Sequence, residues 1–149
     1  MRRPRVYLET TMFNHYFDTD REAHGDTVEL FKEIRAGKYE AYTSAYVTDE
    51  IVEAKEPKRS NMLALIEEYN ITILPVAGEA GKLANIYVSE GVIPIKHRYD
   101  ALHIAIATIN DLDYIFSLNF KHISRLSSVS SFVKTCPCFL RIFLQHARG

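Results

Sequence analysis

The sequence predicts an α/β protein in which a central parallel sheet of about four strands lies between two layers of helices, an α/β/α sandwich. Short runs of β-branched and aromatic residues alternate with longer segments of helical spacing along most of the chain. This alternation implies right-handed crossovers, which make the strands parallel and place helices on both faces of the sheet. No repeat, low-complexity run or long linker divides the 149 residues. We therefore expect one domain over 1–149.

The first half of the chain predicts strand, helix, strand and helix in that order. Val6 to Leu8 is a β-favouring run, and the polar residues after it suit the start of a helix. Apolar residues recur with helical spacing from Asp26 to Ala36, and a glycine follows where a left-handed cap would end the helix. Tyr39 to Thr43 predicts the second strand. The serine after it is a suitable cap for a helix over 45–54.

The second half continues the alternation. Aliphatic and aromatic runs bounded by polar residues predict strands at 71–74 and 114–117. Helical spacing predicts helices over 62–69, 78–90 and 99–109, of which the last is the most apolar in the chain. We expect a loop over 55–60, because it contains a proline and several charges, and an extended segment at 93–95.

The composition restricts the classes of function. The formal net charge is −1, which argues against a strongly basic nucleic-acid coat, so any RNA contact must come from a local patch. Cys136 and Cys138 are too close for a stabilising long loop and too few for a four-ligand zinc site, which favours a reducing compartment. No run approaches the roughly 20 apolar residues of a spanning helix. We expect a cytoplasmic protein that does not contact a membrane.

Acidic and amide side chains fall just beyond the predicted strands, where the ligand crevice of an open parallel sheet lies. These residues are Glu9, Glu50, Asp100 and Asn119. Clustered carboxylates repel one another unless a cation neutralises them, and hard oxygen ligands suit Mg²⁺ or Mn²⁺. Such a cation activates water and offsets charge on a phosphate. A single acid at a helix start is more often a cap than a ligand, so the prediction depends on their joint placement.

Four stretches of the chain together resemble the PIN domains, a family that includes the toxin ribonucleases of toxin-antitoxin pairs. The stretches are Val6–Thr11, Thr43–Glu50, Asp100–Ala107 and Ile115–Ile123. The resemblance implies a PIN-like fold and a metal-dependent endoribonuclease in which Glu9, Glu50 and Asp100 bind Mg²⁺ or Mn²⁺. It further implies that Asn119 and either Thr10 or Thr11 assist with metal-bound water or phosphate. An RNA substrate, an antitoxin partner and a homodimer are implied in the same way.

Two positions differ from the usual PIN pattern, and they leave alternatives open. The first acidic residue of the family is usually Asp, whereas Glu9 has an extra methylene that moves the carboxylate by about 1.5 Å. The fourth acidic position holds Asn119, which offers an oxygen without charge. These differences favour, as an alternative, a non-catalytic PIN-like RNA-binding or assembly module with a degenerate site. A phosphoryl-transfer or receiver-type protein is disfavoured because Glu9 stands where an aspartate nucleophile is needed.

Three further parts of the sequence bear on function. Lys96, Arg98, Lys121 and Arg125 flank the acidic positions and are predicted to contact RNA phosphates, although exposed charged loops are the default interpretation. His103 is expected to be a core histidine, with a role behind a metal ligand left open. The tail over about 127–149 does not match the family. We expect it to be peripheral, with an apolar patch packed on a partner chain, or to derive from a change of reading frame.

Overall fold

The computed structural model of the chain describes residues 2–119 and the backbone of two later strands. The strands are β1 (Arg5–Leu8), β2 (Glu40–Ser44), β3 (Thr72–Leu74), β4 (Tyr114–Ser117), β5 (Phe132–Thr135) and β6 (Leu140–Phe143). The helices are α1 (Thr10–Phe17), α2 (His24–Arg35), α3 (Ala45–Val52), α4 (Lys58–Glu68), α5 (Gly78–Ser89) and α6 (Arg98–Ile109), with a 3-10 turn at Ile95–His97.

The sheet has the strand order β3-β2-β1-β4-β6-β5. Strands β3, β2, β1 and β4 are mutually parallel, with Tyr7 of β1 beside Tyr42 of β2 and Ile115 of β4. The predicted α/β class with a parallel core of four strands is confirmed. Because these strands run in one direction, the residues that follow β1, β2 and β4 meet at one edge, which we call the carboxyl edge.

Strands β5 and β6 come from the tail over about 127–149. Strand β6 pairs antiparallel with β4, and β5 pairs antiparallel with β6 on its other side. The tail thus adds two strands to the four that were predicted. Whether it is peripheral to a single domain over 1–149 stays a prediction, which truncation after Ser128 would test.

The core forms on both sides of the central strands. All side chains of Val6, Tyr7 and Leu8 on β1 are fully buried, so β1 is covered on both faces. Helix α6 is buried over most of its circumference, including Ile104 and Ile106, which explains why it is the most apolar helix of the sequence. The acid of its first turn, Asp100, lies one helical turn before His103, which is 3.0 Å from Glu50 of α3.

Two local predictions differ from the structure. Helix α4 begins at Lys58, inside the predicted loop, because the carboxylate of Glu56 accepts hydrogen bonds from the backbone and hydroxyl groups of Ser60 and holds the first turn. The expected extended segment at 93–95 passes into the 3-10 turn, closed by a hydrogen bond of 2.8 Å from the N–H of His97 to the carbonyl of Pro94. Among the described helices none is both long and apolar enough to cross a membrane.

Candidate acidic site at the carboxyl edge

Glu9 joins the ends of two neighbouring strands. It follows β1 directly and caps α1, since its Oε1 accepts hydrogen bonds from the backbone N–H (3.1 Å) and the hydroxyl (2.5 Å) of Thr11. The same oxygen accepts a hydrogen bond of 2.8 Å from the hydroxyl of Ser117, the last residue of β4. Glu9 is only 3 % exposed. The carboxylate is therefore held rigidly in the crevice between β1 and β4.

Glu50 reaches the same edge from α3. Ser44 ends β2 and caps this helix by accepting a hydrogen bond from the N–H of Val47. Oε1 of Glu50 accepts a hydrogen bond of 2.7 Å from the hydroxyl of Thr10 and lies 3.0 Å from Nε2 of His103. Burial acts to raise the pKa of Glu50, but the hydrogen bonds from His103 and Thr10 outweigh it, so that the pKa is lowered. Glu50 is therefore an anion at neutral pH.

Asp100 lies in the first turn of α6 and is coupled to both other carboxylates. Its pKa is raised to about 6, first by burial and then by the negative charges of Glu9 and Glu50, against the opposing effect of His103. Nδ1 of His97 lies 3.7 Å from Oδ2 of Asp100. The structure therefore brings together, within electrostatic range, the three acids that the sequence predicted to share one crevice.

The acids fit a hard divalent cation in their chemistry, although their side chains do not converge on one point. Among the described residues, no three acidic, histidine or cysteine side chains are arranged around a common metal position. Oε2 of Glu9 and Oε2 of Glu50 accept no hydrogen bond from any described residue, so each is an available hard donor. The pKa of Asp100 is raised first by burial and then by the charges of Glu9 and Glu50, and a cation would offset the repulsion between these charges.

The assisting residues of the prediction differ in their placement. Thr10 contacts Glu50 and Thr11 contacts Glu9, so both threonines lie within the site. Asn119 is exposed, and its backbone N–H donates a hydrogen bond of 3.0 Å to the hydroxyl of Ser117. Its side-chain amide makes no hydrogen bond with the part of the chain that the structure describes. Asn119 therefore lies beside the site without being fixed in it.

The predicted RNA-binding cations are only partly described. Lys96 and Arg98 are exposed at the start of α6, close in sequence to Asp100. The guanidinium of Arg98 lies 4.6 Å above the ring of Tyr99 and donates to its hydroxyl at 3.2 Å. Lys121 and Arg125 fall outside the described residues. Lys96 and Arg98, which we call the basic border, are therefore exposed cations next to Asp100 in the sequence.

Sequence reasoning missed the residues that hold the acids in place. Ser117 and Tyr7 were treated as strand residues, yet Ser117 donates to Glu9 and the hydroxyl of Tyr7 lies 2.7 Å from Nδ1 of His103. Strand periodicity could have placed Tyr7 near the site, because positions 7 and 9 point to the same face of a strand. Helical periodicity could likewise have placed His103 near the site, because it lies three residues after Asp100 on the same helix face.

Tyr46 covers the histidine of the site. Its ring centroid lies 4.8 Å from that of His103, with 33° between the ring planes. The pKa of Tyr46 is raised to about 12, by burial first and then by Glu50, Tyr99 and Asp100. Tyr46 thus packs over His103 close to two of the acids and limits the access of water to the ring.

Neither a protein-family model nor a curated protein sequence matches the chain. Solved structures are nevertheless similar in fold. VapBC2 from Rickettsia felis, bound to a DNA fragment from its promoter, aligns with 82 % of this chain and 92 % of that chain at a TM-score of 0.56 and 16 % identity. VapC20 from Mycobacterium tuberculosis, a sarcin-ricin loop cleaving toxin, aligns with 72 % of this chain and 85 % of that chain at 0.55 and 14 % identity. The chain therefore has the fold of a VapC-like PIN domain.

Proposed function

We propose that the protein is a metal-dependent endoribonuclease that hydrolyses RNA phosphodiester bonds at the acidic site. The observation that carries the proposal is that Glu9 from the β1–α1 junction, Glu50 from α3 and Asp100 from α6 lie within electrostatic range of one another. Repulsion between buried acids lowers the stability of the folded state. Clusters of this kind are therefore typical of functional centres. Similarity to VapC structures supports the same conclusion through the fold.

In this proposal, Glu9, Glu50 and Asp100 bind Mg²⁺ or Mn²⁺. A divalent cation supplies an activated water and offsets the negative charge that develops on the phosphate. The protein holds the carboxylates in place: Thr11 and Ser117 donate hydrogen bonds to Glu9, and Thr10 donates one to Glu50. We assign to Asn119 a contact with phosphate or metal-bound water, because its exposed amide borders the site.

The proposed substrate is RNA, and the proposed role is that of a toxin. Lys96 and Arg98 are exposed close to Asp100 in the sequence, and in this proposal they neutralise phosphates next to the scissile bond, together with Lys121 and Arg125. One structurally similar protein is described as a sarcin-ricin loop cleaving toxin, which supports a toxin role with an antitoxin as partner. A homodimer and a cytoplasmic location belong to the same proposal.

The test of the proposal compares Asp100→Asn with Asp49→Asn, which changes an exposed acid on α3 next to Glu50. Cleavage of a single-stranded RNA and melting temperatures are measured for each protein with Mn²⁺ and with a chelator. We expect wild type and Asp49→Asn to cleave and to gain thermal stability with Mn²⁺, and Asp100→Asn to lose cleavage. If Asp100→Asn keeps both its cleavage rate and its metal-dependent shift, the three-carboxylate site is wrong.

One observation favours the second candidate, a non-catalytic PIN-like RNA-binding or assembly module. Oε1 of Glu9 accepts three hydrogen bonds from Thr11 and Ser117, as expected of a residue that caps a helix and ties two strands together. In that case the chain binds RNA without cleaving it. Calorimetric titration of the wild-type protein with Mn²⁺ separates the candidates, because only the nuclease requires the metal.

A further inference from the structure

A buried path of hydrogen bonds leads from the core to the acidic site. The hydroxyl of Tyr7, on β1, lies 2.8 Å from Oγ of Ser44 and 2.7 Å from Nδ1 of His103. On the other side of the imidazole ring, Nε2 lies 3.0 Å from Oε1 of Glu50. Tyr7 and Ser44 are fully buried and His103 is 2 % exposed. Side chains from β1, β2, α6 and α3 therefore form one path that ends at a carboxylate.

Ser44 determines which group donates and which accepts in each hydrogen bond of this path. Its Oγ accepts the N–H of Val47, and among the described residues the hydroxyl of Tyr7 is the only group to which Ser44 is placed to donate. A buried hydroxyl that donates to nothing is unfavourable, so Ser44 donates to Tyr7. The single hydrogen of the Tyr7 hydroxyl is then directed at Nδ1 of His103. Nδ1 therefore acts as an acceptor and carries no hydrogen.

We infer that His103 is a positioning residue: it holds Glu50 through a ring hydrogen on Nε2, while its Nδ1 accepts from Tyr7. In this form Nε2 donates to Oε1 of Glu50, the same oxygen that accepts the hydroxyl of Thr10. Two donors on one oxygen fix the rotation of the carboxylate and leave its Oε2 for the cation. Only this last step rests on the proposed function, whereas the tautomer is a property of the protein without metal.

Tyr7 then affects Glu50 through His103, although Tyr7 makes no hydrogen bond with Glu50 itself. Its hydroxyl keeps Nδ1 of His103 occupied as an acceptor, and so directs the hydrogen of the ring to Glu50. Removing that hydroxyl lets the ring hydrogen move to Nδ1, where it cannot reach Glu50. Changes in groups that orient a metal ligand typically weaken metal binding by roughly 10- to 100-fold.

The first experiment measures the tautomer directly. Nitrogen-15 spectra of the histidine side chains are recorded for the full-length protein without metal at neutral pH. The chain has six histidines, and the signals missing from His103→Gln identify those of His103. We expect the hydrogen on Nε2 alone. A hydrogen on Nδ1, or on both nitrogens, overturns the inference, and neither result depends on cleavage or on metal binding.

The second experiment measures Mn²⁺ affinity by calorimetry for wild type, Tyr7→Phe and Tyr42→Phe. Tyr42 is the matched control, because it lies beside Tyr7 in the sheet register but its hydroxyl contacts Arg5 and Glu40 instead. We expect Tyr7→Phe to bind Mn²⁺ about 10-fold or more weakly, and Tyr42→Phe to bind like wild type. If wild type binds Mn²⁺ and Tyr7→Phe binds it equally well, the inference is overturned.

A further pair of variants covers the case in which Tyr7→Phe does not fold. His103→Gln keeps a side-chain N–H that can donate to Glu50, whereas His103→Leu removes it. Binding retained by the glutamine variant and lost by the leucine variant supports the inference, and equal binding overturns it. If wild type binds no Mn²⁺, the proposed function fails, and the tautomer of His103 then decides the inference alone.

Discussion

Ser117 at the end of β4 donates a hydrogen bond of 2.8 Å to Oε1 of Glu9, which follows β1. The two residues are 108 positions apart in the sequence and are both buried. A buried carboxylate must be hydrogen-bonded to be tolerated in a folded protein, so this contact stabilises the fold as well as orienting the acid. The hydroxyl of Ser117 therefore has two effects: it connects the ends of β1 and β4, and it orients Glu9 for the proposed metal binding.

The first prediction is that Ser117→Ala lowers the free energy of unfolding by about 1.5–3 kcal/mol, because it removes a hydrogen bond to a buried charged group. Urea denaturation measures the change. The control is Ser89→Ala, at the exposed end of α5, which should change stability by no more than about 0.5 kcal/mol. Equal effects of the two substitutions would show that the bond to Glu9 contributes nothing to stability.

The second prediction concerns pH in the absence of metal. The pKa of Asp100 in the folded protein, about 6, lies above its ordinary value of 3.8, so between these values the folded state binds more protons than the unfolded chain. The contribution of Asp100 to stability is therefore present below about pH 4 and is lost as the pH rises through about 6. We expect the stability of Asp100→Asn relative to wild type to increase from pH 4 to pH 7. The same difference at both pH values would contradict the raised pKa of Asp100.

The third prediction is that RNA binding depends on the basic border beside α6. Replacing Lys96 and Arg98 with Ala should weaken binding to many RNA sequences. It should also make the dependence of affinity on salt less steep by roughly 1.4 units, about 0.7 for each of two phosphate contacts to a single strand. Replacing Lys32 and Lys38, which are exposed near the opposite edge of the sheet, is the control. Filter binding across a salt series measures both effects, and an unchanged slope in the first variant would exclude these two cations from the interface.

The fourth prediction is that Thr10→Val weakens Mn²⁺ binding by about 10-fold, because the substitution removes a hydroxyl that holds Glu50 while keeping the shape of the side chain. Thr108→Val on α6 is the matched control, since its hydroxyl bonds only the carbonyl of Ile104 in the same helix. Calorimetry compares the two variants. If both bind Mn²⁺ like wild type, the bond between Thr10 and Glu50 has no part in metal binding.

The sequence was sufficient to predict the class of fold and the placement of the three acids. Alternating periodicity shows which segments are strands, and parallel connectivity then places Glu9, Glu50 and Asp100 at one edge without knowledge of any contact. The partners of these acids were not predictable in this way. The bond from Ser117 to Glu9 depends on which strand pairs with β1 and on side-chain rotation, and neither leaves a local pattern.

Other departures have similar physical causes. Helix α4 begins earlier than predicted because the side chain of Glu56 accepts hydrogen bonds from Ser60. This contact outweighs the loop-forming composition of the segment. Strands β5 and β6 were not expected, because antiparallel pairing at a sheet edge requires only short β-favouring runs, which also occur in segments outside sheets. The single-domain assignment and the role of the tail stay predictions.

The strand order also has a consequence for synthesis of the chain. Strand β1 is made first but lies between β2 and β4, so its pairing on one side waits until residue 117 has left the ribosome. Until then the edge of β1 lacks a neighbour and Glu9 lacks one of its donors. Domains fold as their segments emerge, so contacts between distant segments form late. The acidic site is therefore completed only after residue 117 has emerged, and a shorter nascent chain does not yet have it.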